Sequence, residues 1–137
     1  MKIKLINFGA KENNLIGNRA HYNDAGFDVY CQKDFIIKTG ETKSIGIGLG
    51  FEIPDGMAGF IMPKSGLSSK GIVSQLSPID SGYRGEVHAI LHNTGKDYEF
   101  RKGDKVGQLV VFPIITADFE WDLDNSRGSG AFGSTGK

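Results

Sequence analysis

The run Lys43-Ser44-Ile45-Gly46-Ile47-Gly48-Leu49-Gly50-Phe51-Glu52-Ile53 decides the architecture. Ile45, Ile47, Leu49, Phe51 and Ile53 fall at every second position, with Ser44, three glycines and Glu52 between them. Successive side chains of an extended backbone point to opposite faces, so this period predicts one β-strand over 43–53 with one buried face and one thin face. Glycine has no side chain, and Gly46, Gly48 and Gly50 therefore leave room for another backbone to approach closely. Pro54-Asp55-Gly56 stops the strand, and another is expected to resume over 57–62.

Outward from this run the two-residue period returns, whereas a helical period does not persist. Further strands are expected over 3–7, 27–31, 35–38, 86–92, 98–100, 107–113 and 117–122, divided by Gly, Pro and Asp. Short strands at such spacing indicate an all-β sandwich or barrel. One short helix is expected, over 65–70. No internal repeat or domain-length linker interrupts the pattern. From Asp124 the chain turns to Gly, Ser and Thr with little apolar matter to pack. This predicts a β domain over 1–123 and a mobile Gly-rich tail over 124–137. The tail still carries Arg127 and Phe132, for which a plain spacer has no use.

Composition narrows the function. A chain of 137 residues suits one domain with a single core. Sixteen basic and sixteen acidic residues cancel, so the basic surplus of a duplex-binding protein is missing and stable nucleic-acid binding is not expected. A small polyanion needs only a few local donors and a metal ion, so the charge balance does not argue against one. The single cysteine, Cys31, cannot close an intrachain disulfide, which favours a reducing compartment. The start, Met1-Lys2-Ile3-Lys4-Leu5, lacks the apolar core of a signal peptide, and no run reaches membrane-spanning length. A cytoplasmic protein without membrane contact is expected.

Five segments carry polar groups that packing alone does not require. In Leu76-Ser77-Pro78-Ile79-Asp80-Ser81-Gly82-Tyr83-Arg84-Gly85-Glu86-Val87, proline stiffens and glycine bends a loop that holds a carboxylate and, three positions later, an aromatic ring. Taken alone this is either a surface turn or the mouth of a site. Asp28 alternates with apolar neighbours at the start of a strand and faces either a cleft or solvent. Pro63-Lys64-Ser65-Gly66-Leu67 ends a strand and opens the helix with Ser65 near its N-cap; the amides and Lys64 outline either an anion site or a capped turn. Gln108 is polar in apolar company and is expected to satisfy a specific partner, while Asp104 fixes the turn before it. The amides and hydroxyls of the tail can wrap an anion as a nest, but they lack the Gly-Lys-Ser/Thr ending of a P-loop. His88 and His92 share a strand face without a third ligand, which reads as two strand histidines and not as a zinc site.

Five stretches, in order, resemble the five motifs of the trimeric dUTPases (dUTP nucleotidohydrolases). They are Ala25-Gly26-Phe27-Asp28-Val29; Pro63-Lys64-Ser65-Gly66-Leu67 with Lys70-Gly71; Ile79-Asp80-Ser81-Gly82-Tyr83-Arg84-Gly85-Glu86; Gly103-Asp104-Lys105-Val106-Gly107-Gln108-Leu109; and Arg127-Gly128-Ser129-Gly130-Ala131-Phe132-Gly133-Ser134-Thr135-Gly136. The resemblance implies a jelly-roll β-sandwich or barrel protomer of the β-clip type, in a homotrimer whose active sites are shared between chains. It also implies Mg²⁺-dependent hydrolysis of dUTP at the α-phosphorus to dUMP and pyrophosphate, in the cytoplasm (the host's, if phage-encoded). Such a reaction supplies dUMP for dTTP synthesis and keeps uracil out of DNA.

Residue by residue, the resemblance gives Asp80 the attacking water and Tyr83 the deoxyribose. The backbone of 74–79, with Ser74, Ser77 and Ile79, would read the uracil edge. Asp28 would hold the metal through water, and Lys64, Ser65, Gly66 and Gln108 would hold phosphates. Arg127, Gly133, Ser134 and Thr135 would close over the substrate, with Phe132 stacked on the base and the tail acting as a lid. The chain departs from the family's usual pattern at Lys64 (commonly Arg), Ser77 (often Gly, here followed by Pro78), Gly82 (often a second acid) and Ala131 (a tail glycine). Two other kinds of protein resemble this pattern, a dCTP deaminase-like relative and a phage-type nucleotide-sensing regulator with a protein partner. No acid is assigned here for deamination, and no feature identifies a partner.

Overall fold

In the computed structural model, which describes residues 1–123, the alternating run at 43–53 forms two strands and not one. In chain order the elements are β1 (Leu5–Asn7), α1 (Ala10–Asn13), β2 (Phe27–Tyr30), β3 (Phe35–Ile37), β4 (Thr42–Gly46), β5 (Leu49–Phe51) and β6 (Met57–Met62). They continue with α2 (Ser65–Ser68), β7 (Ile72–Gln75), β8 (His88–Asn93), β9 (Tyr98–Phe100) and β10 (Lys105–Pro113). The strands pair as four small antiparallel sheets, β1-β5, β2-β10-β6, β3-β9 and β4-β8-β7. The fold is β-rich with a little helix. No helix among the described residues is long and apolar enough to cross a membrane.

The break inside 43–53 has a local cause. Gly48 takes φ 73, a left-handed conformation that disfavours any side chain. On either side of it the chain stays tied to one residue: the Ile47 amide donates to the Val87 carbonyl at 3.1 Å, and the Val87 amide donates to the Leu49 carbonyl at 2.8 Å. One residue facing three re-aims the strand without disturbing its alternation. Ile47, Leu49, Phe51 and Ile53 are all buried, although β4 joins β8 and β5 joins β1. The thin face receives other backbone. A methyl group on Gly50 would sit 2.6 Å from the Gly85 carbonyl, and one on Gly48 would sit 2.8 Å from the Ala10 amide nitrogen. These side chains join Val29, Ile37, Leu91, Phe100 and Val106 in one core, where the rings of Phe35 and Phe100 stack at 4.5 Å.

Three other sequence expectations change. The helix count is two among the described residues, because Asn7 makes α1 possible: its side-chain oxygen accepts from the amides of Gly9 and Lys11, and Ala10 is fully buried under the Gly48 kink. β7 forms where no strand was expected and takes in the start of the stretch 74–79, paired with β8 at Ser74↔Leu91. The strand expected over 117–122 does not form in the protomer. Phe119, Trp121 and Leu123 are 93%, 94% and 98% exposed, and without a neighbouring strand an extended segment has no ladder to join.

Candidate active site

The loop carrying Asp80 is braced at both ends. The Ile79 amide donates to the Gly59 carbonyl at 2.7 Å and its carbonyl accepts from the Gly59 amide at 3.1 Å, tying the loop to β6. The Tyr83 amide then donates to the Asp80 carbonyl at 3.1 Å, closing a tight turn. The phenol of Tyr83 donates to the Glu86 carbonyl at 2.8 Å, and its ring lies against Gly85, where a methyl group would collide with the phenol. Arg84 donates to the carbonyls of Ser81, at 2.6 Å, and Tyr83, at 3.2 Å, so the loop is stitched from within. Ser77, Ile79, Asp80 and Tyr83 line a cleft of about 350 Å³ together with Glu86 and His88. The exposed carboxylate of Asp80 therefore belongs to a concave surface. Glu86 accepts the Gly48 amide at 2.9 Å and so anchors the cleft to the kink between β4 and β5.

A second group gathers on the sheet β2-β10-β6. Asp28 on β2 is 6% exposed, and its two oxygens meet two cations: Lys64 Nζ lies 2.9 Å from Oδ1, and Lys105 Nζ lies 3.2 Å from Oδ2. Burial pushes the Asp28 carboxyl up, but the hydrogen bonds and charges of Lys64 and Lys105 together outweigh it and hold the group below the usual carboxylate range. Gln108 lies directly opposite Asp28 in the β10-β2 register. Its Nε2 donates to the Pro63 carbonyl at 2.9 Å, and its side chain lies flat over Gly26, where a methyl group would collide. This is the specific partner that its apolar setting required. Gln108 thus steadies the exit of β6, from which Lys64 projects.

The N-cap of α2 is Lys64, immediately before Ser65, in extended conformation and without a side-chain cap. Ser65 and Gly66 are exposed in the first turn, and their two amides are among those a helix start leaves without an intrahelical partner. Asp104 fixes its turn as expected, accepting the Arg101 amide at 2.8 Å.

The predicted residues thus fall into two groups: Asp28, Lys64 and Gln108, with Ser65 and Gly66 adjoining, and Ser77, Ile79, Asp80 and Tyr83. Among the described residues no hydrogen bond or ion pair joins the two groups. Ser74 lies on β7, an edge strand, so its unpaired side faces away from β8. Ile79 uses both its amide and its carbonyl on Gly59, which makes it an anchor of the loop in this protomer. Arg127, Phe132, Gly133, Ser134 and Thr135 lie outside the described residues. Two residues had no role in the sequence reading, Lys105 and Glu86. Both lie within the quoted motifs, but only the ladder register and the Gly48 kink reveal what they touch. His88 borders the cleft, while His92 Nδ1 lies 2.8 Å from Thr42 Oγ1. Among the described residues no three His, Cys, Asp or Glu side chains converge as a metal site.

Fold and site define a β-strand domain with cations around one carboxylate and a second carboxylate beside an aromatic ring. The dUTPase family model matches residues 12–136, and the chain belongs to the dUTPase family. It is 40% identical to the deoxyuridine 5'-triphosphate nucleotidohydrolase of Clostridium tetani (strain Massachusetts / E88), covering 100% of this chain and 97% of that one. The same enzyme of Nautilia profundicola is 42% identical, with 100% and 99% covered. Among solved structures, the dUTPase of Staphylococcus bacteriophage 80alpha, as its G164S mutant with dUpNHpp, superposes with TM-score 0.85 at 24% identity. That match covers 99% of each chain and shows a shared fold. The dUTPase of phage phi11 of S. aureus gives TM-score 0.84 at 23% identity, covering 93% of this chain and 99% of that one.

Proposed function

We infer that the chain is a dUTP diphosphatase, converting dUTP and water to dUMP and pyrophosphate. Beyond the family match, the observation that carries this reading is the braced turn that presents Asp80 and Tyr83 to one cleft. Attack on phosphorus needs positioning and charge neutralisation more than covalent help. Asp80 takes a proton from the water aligned with the α-phosphorus. Tyr83, held rigid by Glu86 and Gly85, forms the platform under the deoxyribose, and a ring so close to the sugar leaves no room for a 2′-hydroxyl. The outward edge of β7 and the backbone through Ser77 read the uracil edge. Lys64, Gln108 and the amides of Ser65 and Gly66 receive phosphates.

The donor set bears on Mg²⁺. A lone carboxylate held by two ammonium groups does not make a cage, but Mg²⁺ keeps most of its waters and is commonly carried on substrate phosphates. A carboxylate offers about four lone pairs, so Asp28 retains acceptor capacity for a water of such an ion. When bound, the ion would neutralise charge on the triphosphate.

The protomers assemble as a homotrimer of closed jelly rolls with shared active sites, and residues 124–137 close over the substrate as a lid. Two features support sharing: among the described residues no hydrogen bond or ion pair joins the two half-sites, and Ile115, Phe119, Trp121 and Leu123 are all more than nine-tenths exposed. Asp80→Asn tests the assignment. Turnover should fall by roughly 10²–10⁴-fold while binding of a non-hydrolysable dUTP analogue changes little. A variant with near-normal kcat would remove Asp80 as the base.

A further inference from the structure

Asp28 is buried, and in the absence of Lys105 it would meet one cation alone. The pair Asp28–Lys64 would then be neutral, and the Lys64 ammonium would face an incoming phosphate with its charge already matched. The geometry is different. Lys105 Nζ sits 3.2 Å from the second oxygen of the same carboxylate, so the cluster of one anion and two cations keeps a net positive charge. Lysine intensifies this requirement. Its ammonium has three donors and no fork, so one donor on Asp28 leaves two for any other group.

The backbone is shaped to bring Lys105 there. Gln108 pairs with Asp28 and Gly107 with Val29, but the next pair is Lys105 with Tyr30, so one extra residue is accommodated between Lys105 and Gly107. That irregularity sets Lys105 opposite Tyr30, on the face that carries Asp28 and Gln108, while Val106 is fully buried in the core. A regular ladder would have put Val106 opposite Tyr30. The side chain of Lys105 is 50% exposed, so its stem reaches out of the sheet and its charge turns back to the carboxylate.

We propose that Lys105 is a positioning residue for phosphate binding: by balancing Asp28 it leaves the Lys64 ammonium electrostatically free to take a substrate phosphate. The inference rests on the phosphate role given to Lys64 above. Three single variants of the full chain, Lys105→Gln, Lys105→Arg and Lys64→Gln, and the double variant Lys64→Gln/Lys105→Gln test it. Two quantities are read, the kinetics of dUTP hydrolysis and the Kd of a non-hydrolysable dUTP analogue. Lys105→Gln should raise KM and that Kd about five- to tenfold with kcat within about twofold, the scale of one charged hydrogen bond partly screened by solvent. Lys105→Arg should restore both to within about twofold, since it keeps the charge. In the Lys64→Gln background the same substitution should add less than about twofold, because a residue acting through another has nothing left to act on. A full, additive effect in that background, or a loss carried by kcat alone, overturns the proposal. If Lys64→Gln by itself leaves KM and Kd unchanged, the phosphate role of Lys64 falls first, and the inference falls with it.

Discussion

Asp28 is a buried acid that its neighbours keep charged. Alternation in the sequence placed it at the start of a strand, yet could not say which face of the sheet would be wet. In the fold it lies under two lysines supplied by the exit of β6 and the start of β10, 36 and 77 positions along the chain (64 − 28 and 105 − 28). Because its carboxyl is held below the usual range, the unfolded chain takes up the proton first, and the stabilisation is full above the ordinary Asp value of 3.8 and lost as pH falls below it. Asp28→Asn should therefore cost about 2–3 kcal/mol at neutral pH, below the usual loss for a fully buried pair because both lysines reach solvent. Urea midpoints of the two proteins should converge as the solution is acidified through that range. A gap that stays constant into strong acid would mean the carboxylate is not held charged by its lysines. Gln108 illustrates a different limit: its need for a partner was legible, whereas the Pro63 carbonyl that meets it was not.

At the scale of elements, the alternating run was read correctly face by face and incorrectly as one strand. Nothing in the order of Ile47, Gly48 and Leu49 distinguishes a thin strand position from a kink, since glycine suits both. The decision comes from Val87, which bonds to both sides of the break, and from α1, whose first residue packs against the gap. Gly48→Ala should accordingly destabilise the domain by on the order of 2 kcal/mol or more, adding left-handed strain to a methyl group 2.8 Å from the Ala10 amide nitrogen. Gly56, also at positive φ but with open space around it, should lose only the conformational part when changed to alanine. Equal losses at the two positions in urea denaturation would show that the backbone angle, and not the packing of α1, governs the kink. α1 and β7 escaped the sequence reading for one reason, whereas α2 fell where a short helix was expected. Elements of four residues carry no measurable period, and they exist because caps and neighbours hold them.

For the whole molecule, the stretch after β10 poses the largest discrepancy between pattern and structure. Residues 117–122 read as a strand, and in the protomer no strand forms there. The chain has a single tryptophan, Trp121, and it lies in that stretch at 94% exposure. In the proposed trimer this arm should pack against a neighbouring protomer. Trp121 emission should then be blue-shifted and poorly quenched by acrylamide at concentrations where sedimentation gives a trimer, and should become fully quenchable in urea. Free quenching in an intact trimer would leave the arm undocked and the shared-site reading without that support. By itself the sequence determined which residues alternate, where turns must fall and which motifs the chain carries, because these follow from backbone geometry and local chemistry within a few positions. Tertiary structure alone decided the kink at Gly48 and the extra residue that aims Lys105 at Asp28. Each of those depends on a hydrogen-bond partner or a counter-charge distant in the chain, and distance in space is not written in neighbouring letters.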